Sequence, residues 1–153
     1  MIGPFRGKYR FLSNFWSCSV LYEGITYPSA EHAYQAAKTI DPQQRLLISQ
    51  NCPTPGDAKR MGRTLTLRKD WDTMKLLVMK NVVRCKFTQN QTLRNKLILT
   101  GSEELIEVNT WRDIFWGIYQ GKGQNHLGKL LMLVRSELQK VRNYHDNLSH
   151  RKS

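Results

Sequence analysis

Ser29-Ala30-Glu31-His32-Ala33-Tyr34-Gln35-Ala36-Ala37-Lys38 is the stretch on which the reading of this chain turns. Ser29 follows Pro28 and suits a helix N-cap, and good helix formers come after it. At about 100° per residue, Glu31, Tyr34, Gln35 and Lys38 share one narrow sector. Ala30, Ala33 and Ala37 take the opposite side, with Ala36 near its edge. An ordinary surface helix buries Leu or Ile instead. An alanine face lets a helix sit deep, where an acid, a phenol, an amide and an amine can face a cleft. The competing reading is a solvated polar face on a short alanine-rich helix.

Working outward, Val20–Tyr22 and Ile25–Tyr27 flank Glu23-Gly24, a hairpin signal that feeds the helix directly. Before it, residues 1–15 mix aromatic and basic side chains with Gly3, Pro4 and Gly7, which favours strand or loop. After it, a short helix is expected from Pro42 to Gln50. The next has Thr54 as cap, Pro55 at its first position and Gly62 at its end. Asp70 can cap a broadly apolar core helix over Trp71–Phe87, whose lysines would snorkel. A helix from about Thr92 to Leu99 and a strand over Glu103–Val108 follow. Leu127, Leu130, Leu131, Val134, Leu138 and Val141 recur at helical spacing and mark the last core helix. The sum is a helix-rich α+β domain over residues 1–144 with few, short strands, and a polar basic tail over 145–153 expected to fray.

A chain of 153 residues can bury one sizeable core. Its net charge of +12 is uneven. Residues 59–100 hold eleven Lys and Arg against Asp70 and Asp72 alone. Such clustering favours a polyanionic partner, nucleic acid above all, or a phosphorylated small molecule over generic solubility charge. Cys18, Cys52 and Cys85 form no disulfide framework and no zinc motif, which suits a reducing compartment. No apolar run is long enough for a signal peptide or a membrane span. The expectation is a cytoplasmic protein, or a nuclear one in a eukaryote.

Several chemistries fail on spacing. Gly123-Gln-Asn-His-Leu-Gly128-Lys129-Leu130 imitates a phosphate-binding loop, but Leu130 stands where a Ser or Thr hydroxyl would meet magnesium. A dinucleotide fingerprint from Gly121 and Gly123 would need glycine at His126. The loop can still offer backbone N–H groups to an anion, or be a plain helix-entry turn. His32, His126, His145 and His150 lack zinc-ligand spacing, so no metal is expected. No Ser or Cys sits in a nucleophile setting. Carboxylates remain: Glu31 on the opening helix, Glu107 on the expected strand, and Asp113 three residues before Trp116. Asp113 is either a raised-pKa acid or base, or a turn residue.

In this order, Leu12-Ser-Asn-Phe15, Pro28–Lys38, Ala58-Lys-Arg-Met-Gly-Arg63, Asp70-Trp71, Lys86-Phe87, Asp113-Ile-Phe-Trp-Gly117 and Gly123–Met132 resemble the YbiA-like, or NADAR, family. The resemblance runs from about Phe5 to Arg135. It implies a hydrolase of ribosyl N-glycosidic bonds that uses no cofactor. Two substrate classes come with it: ADP-ribose attached to guanine in DNA, the preferred reading here, and phosphoribosylamino-pyrimidine intermediates of riboflavin synthesis. A non-catalytic nucleic-acid or ADP-ribose binding module is the third reading. The match carries site roles to Glu31, Trp71, Asp113 and Trp116, and points to Lys38 as the lysine after the Glu-His motif. In such chemistry Glu31 would activate water or steady an oxocarbenium-like state, and Asp113 would assist the leaving base or hold the ribose. Lys38 could instead attack C1′ and form a Schiff base. Trp71 and Trp116 would stack on a base, Gln35 would touch substrate from the helix face, and Asn14, Arg63, Gly123 and Asn125 would contact ribose and diphosphate.

Overall fold

A computed structural model describes residues 1–152. The hairpin forms as expected. Strands β1 (Ser17–Tyr22) and β2 (Ile25–Ser29) pair antiparallel, with Val20 opposite Tyr27 and Tyr22 opposite Ile25. Glu23 and Gly24 both take positive φ, the backbone that a two-residue turn needs to match strand twist. Val20, Tyr22 and Tyr27 point into the core, while Leu21 stays exposed.

Helix α1 (Ala30–Ala36) follows without a linker. Ser29 Oγ accepts the His32 N–H and also meets His32 Nδ1 at 2.7 Å, and His32 Nε2 lies 2.8 Å from the Cys52 carbonyl. Every residue of α1 is buried. It packs against both strands and against α2 (Pro42–Asn51), α3 (Pro55–Gly62) and α4 (Trp71–Gln89). The solvated-face reading is thereby overturned, because the alanine side chains let neighbours close in and sink the helix below the surface. Helices α5 (Gln91–Leu99) and α6 (His126–Arg151) complete the fold, with α4 at the centre of the larger helical layer. This is a helix-rich α+β architecture, with a two-stranded sheet as its β part.

Four local expectations are corrected. Residues Gly7–Leu12 coil into a 3-10 helix rather than a strand or loop. Glu103–Val108 forms no ladder: only isolated bridges link Ile2 to Leu105 and Val108 to Ile118. Asp70 precedes α4 but caps nothing with its side chain, because its carboxylate accepts both Nε and Nη2 of Arg68. Beyond Tyr144, α6 continues to Arg151 with its residues exposed, so the segment expected to fray is helical.

Helix α4 also holds a surprise. Lys86 does not snorkel but is fully enclosed, its ammonium donating to the Phe11 and Ser13 carbonyls at 2.7 and 2.9 Å. This pins the turn after the 3-10 helix, and with it Asn14, to the core. No helix among the described residues is long and apolar enough to cross a membrane.

Candidate active site

The functional face of α1 opens onto a cavity of about 800 Å3. Glu31, Tyr34 and Gln35 line it from α1 with Lys38 just past its end, and Lys59 and Arg60 from α3 with Arg63 as its C-cap. The N-terminal segment contributes Arg6, Arg10, Asn14 and Phe15, and the segment after α5 contributes Glu107, Trp111, Asp113 and Trp116. Of the residues singled out in the sequence, Asn14, Glu31, Gln35, Lys38, Arg63, Asp113 and Trp116 therefore meet in one space.

Glu31 lies deep in this space at 8 % exposure. Its backbone N–H donates to the Asn14 carbonyl, and its carboxylate accepts Gln35 Nε2 at 2.8 Å. Burial pushes its pKa up, while the Gln35 bond and the Lys59 and Lys38 ammoniums oppose that. Gln35 Oε1 is buried with no hydrogen-bond partner and rests against Gly62, where a Cβ would fall 2.0 Å from it. Gly62 thus does more than end α3: it gives Gln35 the room to hold Glu31. The Lys38 ammonium sits 5.7 Å from the Tyr34 ring centroid. Burial draws its pKa down, against the pull of Glu31, and Lys59 and Arg63 draw it further. An amine so placed is a better nucleophile than an exposed lysine.

Asp113 is a clamped residue. Its Oδ1 accepts the Phe115 and Trp116 N–H groups at 2.9 and 2.8 Å, and the Asn109 amide spans its backbone. The turn reading is right about its bonding, and it still faces the cavity. Tyr34 stands between Trp71 and Trp116, at centroid distances of 5.3 and 5.5 Å.

Three residues fall outside the cavity lining. Trp71 is buried against Tyr34 and offers no face for stacking on a ligand. Gly123 packs against backbone, where a Cβ would lie 2.2 Å from the Gly117 carbonyl. Asn125 accepts the Glu107 N–H and donates to the Leu105 carbonyl, strutting the loop ahead of α6. The anion cradle expected there is instead a packing device that positions Glu107.

The sequence reading missed Arg6, Arg10, Lys59 and Arg60. Lys59 on α3 and Arg63 at its C-cap are one turn apart, a spacing that could have paired them. Glu107 was noticed as a carboxylate but given no site role, yet it lines the cavity. The basic run divides in space: Lys59, Arg60 and Arg63 reach the cavity, Lys86 is enclosed, and Arg68 and Arg84 pair with Asp70 and Glu137. Among the described residues, Arg6, Arg10, Lys59 and Arg63 make no ion pair, which leaves them open to an anion.

The NADAR domain family model matches residues 4–139. N-glycosidase YbiA of Escherichia coli K12 is 40 % identical over 133 residues, spanning 85 % of this chain and 82 % of that protein. A riboflavin biosynthesis protein of Vibrio vulnificus is 41 % identical over 134 residues, of which this chain spans 84 % of its own length but 35 % of that longer protein. The NMR structure of E. coli YbiA superposes with a TM-score of 0.80 at 37 % identity, covering 92 % of this chain and 84 % of that one. By motif order, family match and fold alike, this chain belongs to the NADAR domain family.

Proposed function

We propose that this protein is an N-glycosidase that hydrolyses a ribosyl C1′–N bond, with ADP-ribose on guanine in DNA as its substrate. The observation that carries this reading is the pairing of the buried Glu31 carboxylate and half-buried Lys38 amine with cationic side chains from two separate elements around one cavity. Breaking such a bond develops positive charge on the sugar, which a desolvated carboxylate stabilises. The volume lies in the upper range of small-molecule sites, room for a dinucleotide-sized group. Arg6 and Arg10 on one side, with Lys59 and Arg60 on α3 and Arg63 at its C-cap, suit more than one phosphate.

In this mechanism Glu31 takes a proton from the attacking water. The lowered pKa of Lys38 favours a variant in which its amine attacks C1′ instead. Phosphoribosylamino-pyrimidine substrates form a second reading. It is favoured by the name of the Vibrio relative and by the dispersal of the basic run, which removes one argument for a long polyanion.

The test is incubation of purified protein with an oligonucleotide carrying ADP-ribosylated guanine, read by mass. Release of ADP-ribose and unmodified DNA is expected, with turnover abolished in a folded Glu31→Gln variant. An intact oligonucleotide beside cleaved aminopyrimidine would move the assignment to the second reading. Binding without turnover of either would leave a binding module.

A further inference from the structure

Glu107 stands apart among the cavity's carboxyl groups. It is 9 % exposed and lines the cavity, and among the described residues its carboxyl oxygens have no hydrogen-bond partner and no ion pair. Its backbone, by contrast, is fully used: the N–H donates to Asn125 and the carbonyl accepts from Ile118. Gly117 packs so closely that a Cβ there would lie 2.9 Å from Glu107 Cγ. A rigid main chain therefore holds an unpartnered carboxyl group at the wall of the cavity.

We infer that Glu107, rather than Asp113, donates the proton that lets the base leave. This rests on the glycosidase reading above. Asp113 has one oxygen committed to two backbone N–H groups, so it serves as an acceptor that fixes the loop. Burial pushes the Glu31 pKa up, but its carboxylate accepts the Gln35 amide, a bond that only a charged or acceptor oxygen makes. Glu107 has no such donor at hydrogen-bond range. The charged and titratable groups that act on it are Asp113 on its own segment, Arg10 from the 3-10 helix and Lys86 from α4. Burial, with Asp113 adding to it, outweighs the two cations and pushes its pKa up to about 7. Two carboxyl groups in one site, one held as a hydrogen-bond acceptor by an amide and one without a partner and free to donate, are the pair that glycoside hydrolysis requires.

The step balances as follows. The C1′–N bond breaks and its electron pair passes to the nitrogen, which takes the Glu107 proton. Water adds its oxygen to C1′ and gives a proton to Glu31. Solvent returns a proton from Glu31 to Glu107, and the net reaction is hydrolysis.

Two measurements test it. Infrared difference titration of the ligand-free protein should show a protonated-carboxyl band that disappears with a midpoint near pH 7, is missing in Glu107→Gln and persists in Asp113→Asn. With the ribosylated-guanine oligonucleotide and the aminopyrimidine as substrates, Glu107→Gln should lower kcat by roughly 10²–10⁴-fold and lose the alkaline limb of the pH profile. Wild-type protein that leaves both substrates intact while the band is present overturns the glycosidase reading, and the donor role with it. Wild-type turnover matched by Glu107→Gln, or a wild-type protein without the band, overturns the donor role alone.

Discussion

Lys86 is held in the interior by what it binds. Two backbone carbonyls meet its ammonium, and burial pulls its pKa down to about 8. Replacing it with Met would leave both carbonyls without a donor, at about 1–3 kcal/mol each, partly offset by removing a buried charge. We expect Lys86→Met to lose roughly 2–4 kcal/mol, a drop of about 5–15 °C in Tm. The sign with pH follows from the depressed folded value. Between pH 8 and 10.5 the unfolded chain keeps a proton that the folded chain releases, so stability from this group rises across that window and is lost as pH falls to 8. The gap between wild type and variant in chemical denaturation should therefore widen from pH 8 to pH 10; a constant gap would show that Lys86 keeps its ordinary proton affinity. At the same scale, borohydride added during turnover should leave a covalent sugar adduct on Lys38 if its amine is the nucleophile. Recovery of unmodified Lys38 would assign the attack to water.

At the scale of elements, α1 and α3 work as a pair. Gly62 gives Gln35 space, and Gln35 holds Glu31. In Gly62→Ala the new Cβ meets the far end of a side chain, which can swing away, and alanine is the better helix former by about 1 kcal/mol. Stability should change by less than about 1 kcal/mol in either direction. Activity should fall through kcat, because a displaced Gln35 no longer steadies the Glu31 carboxylate. Wild-type kcat in this variant would remove Gln35 from the positioning of Glu31. These elements were also the legible ones. The alanine face of α1, the Thr54 cap of α3 and the Glu23-Gly24 turn are local signals, and the structure follows them. What could not be read depends on distant partners. The carbonyls that enclose Lys86 lie more than seventy residues away in the chain. Gly123 and Asn125 look like an anion cradle until Gly117 and Glu107 are seen to occupy the same ground. Trp71 looked like a stacking platform because its motif carried it into the site, whereas Tyr34 covers it.

At the scale of the molecule, the question is how much of the +12 charge a nucleic acid would feel. Sequence clustering suggests a basic face over residues 59–100, but folding sends those side chains in several directions. Lys86 goes to the interior, Arg68 and Arg84 to ion pairs, and Lys75 onto the Phe115 ring at 4.2 Å. Those that line the cavity are Lys59, Arg60 and Arg63, joined by Arg6 and Arg10 from the other end of the chain. Exposed Trp111, at 57 %, and Phe15 stand beside them at the mouth, where a base could stack. If recognition is confined to this mouth, at most these five cations and Lys38 displace counterions. The affinity of the inactive Glu31→Gln variant for a single-stranded ADP-ribosylated oligonucleotide should then fall with salt at a log–log slope no steeper than about −4.2, from roughly 0.7 per phosphate neutralised. Arg60 already pairs with Asp57, so a shallower slope is the expected result. Lengthening the oligonucleotide should leave that slope unchanged, since the cavity engages the modified nucleotide and its neighbours only. A slope that steepens with length would mean that a track of DNA runs past the mouth over Lys69, Lys80, Arg94 or Lys96, and that the sequence cluster is a binding surface after all.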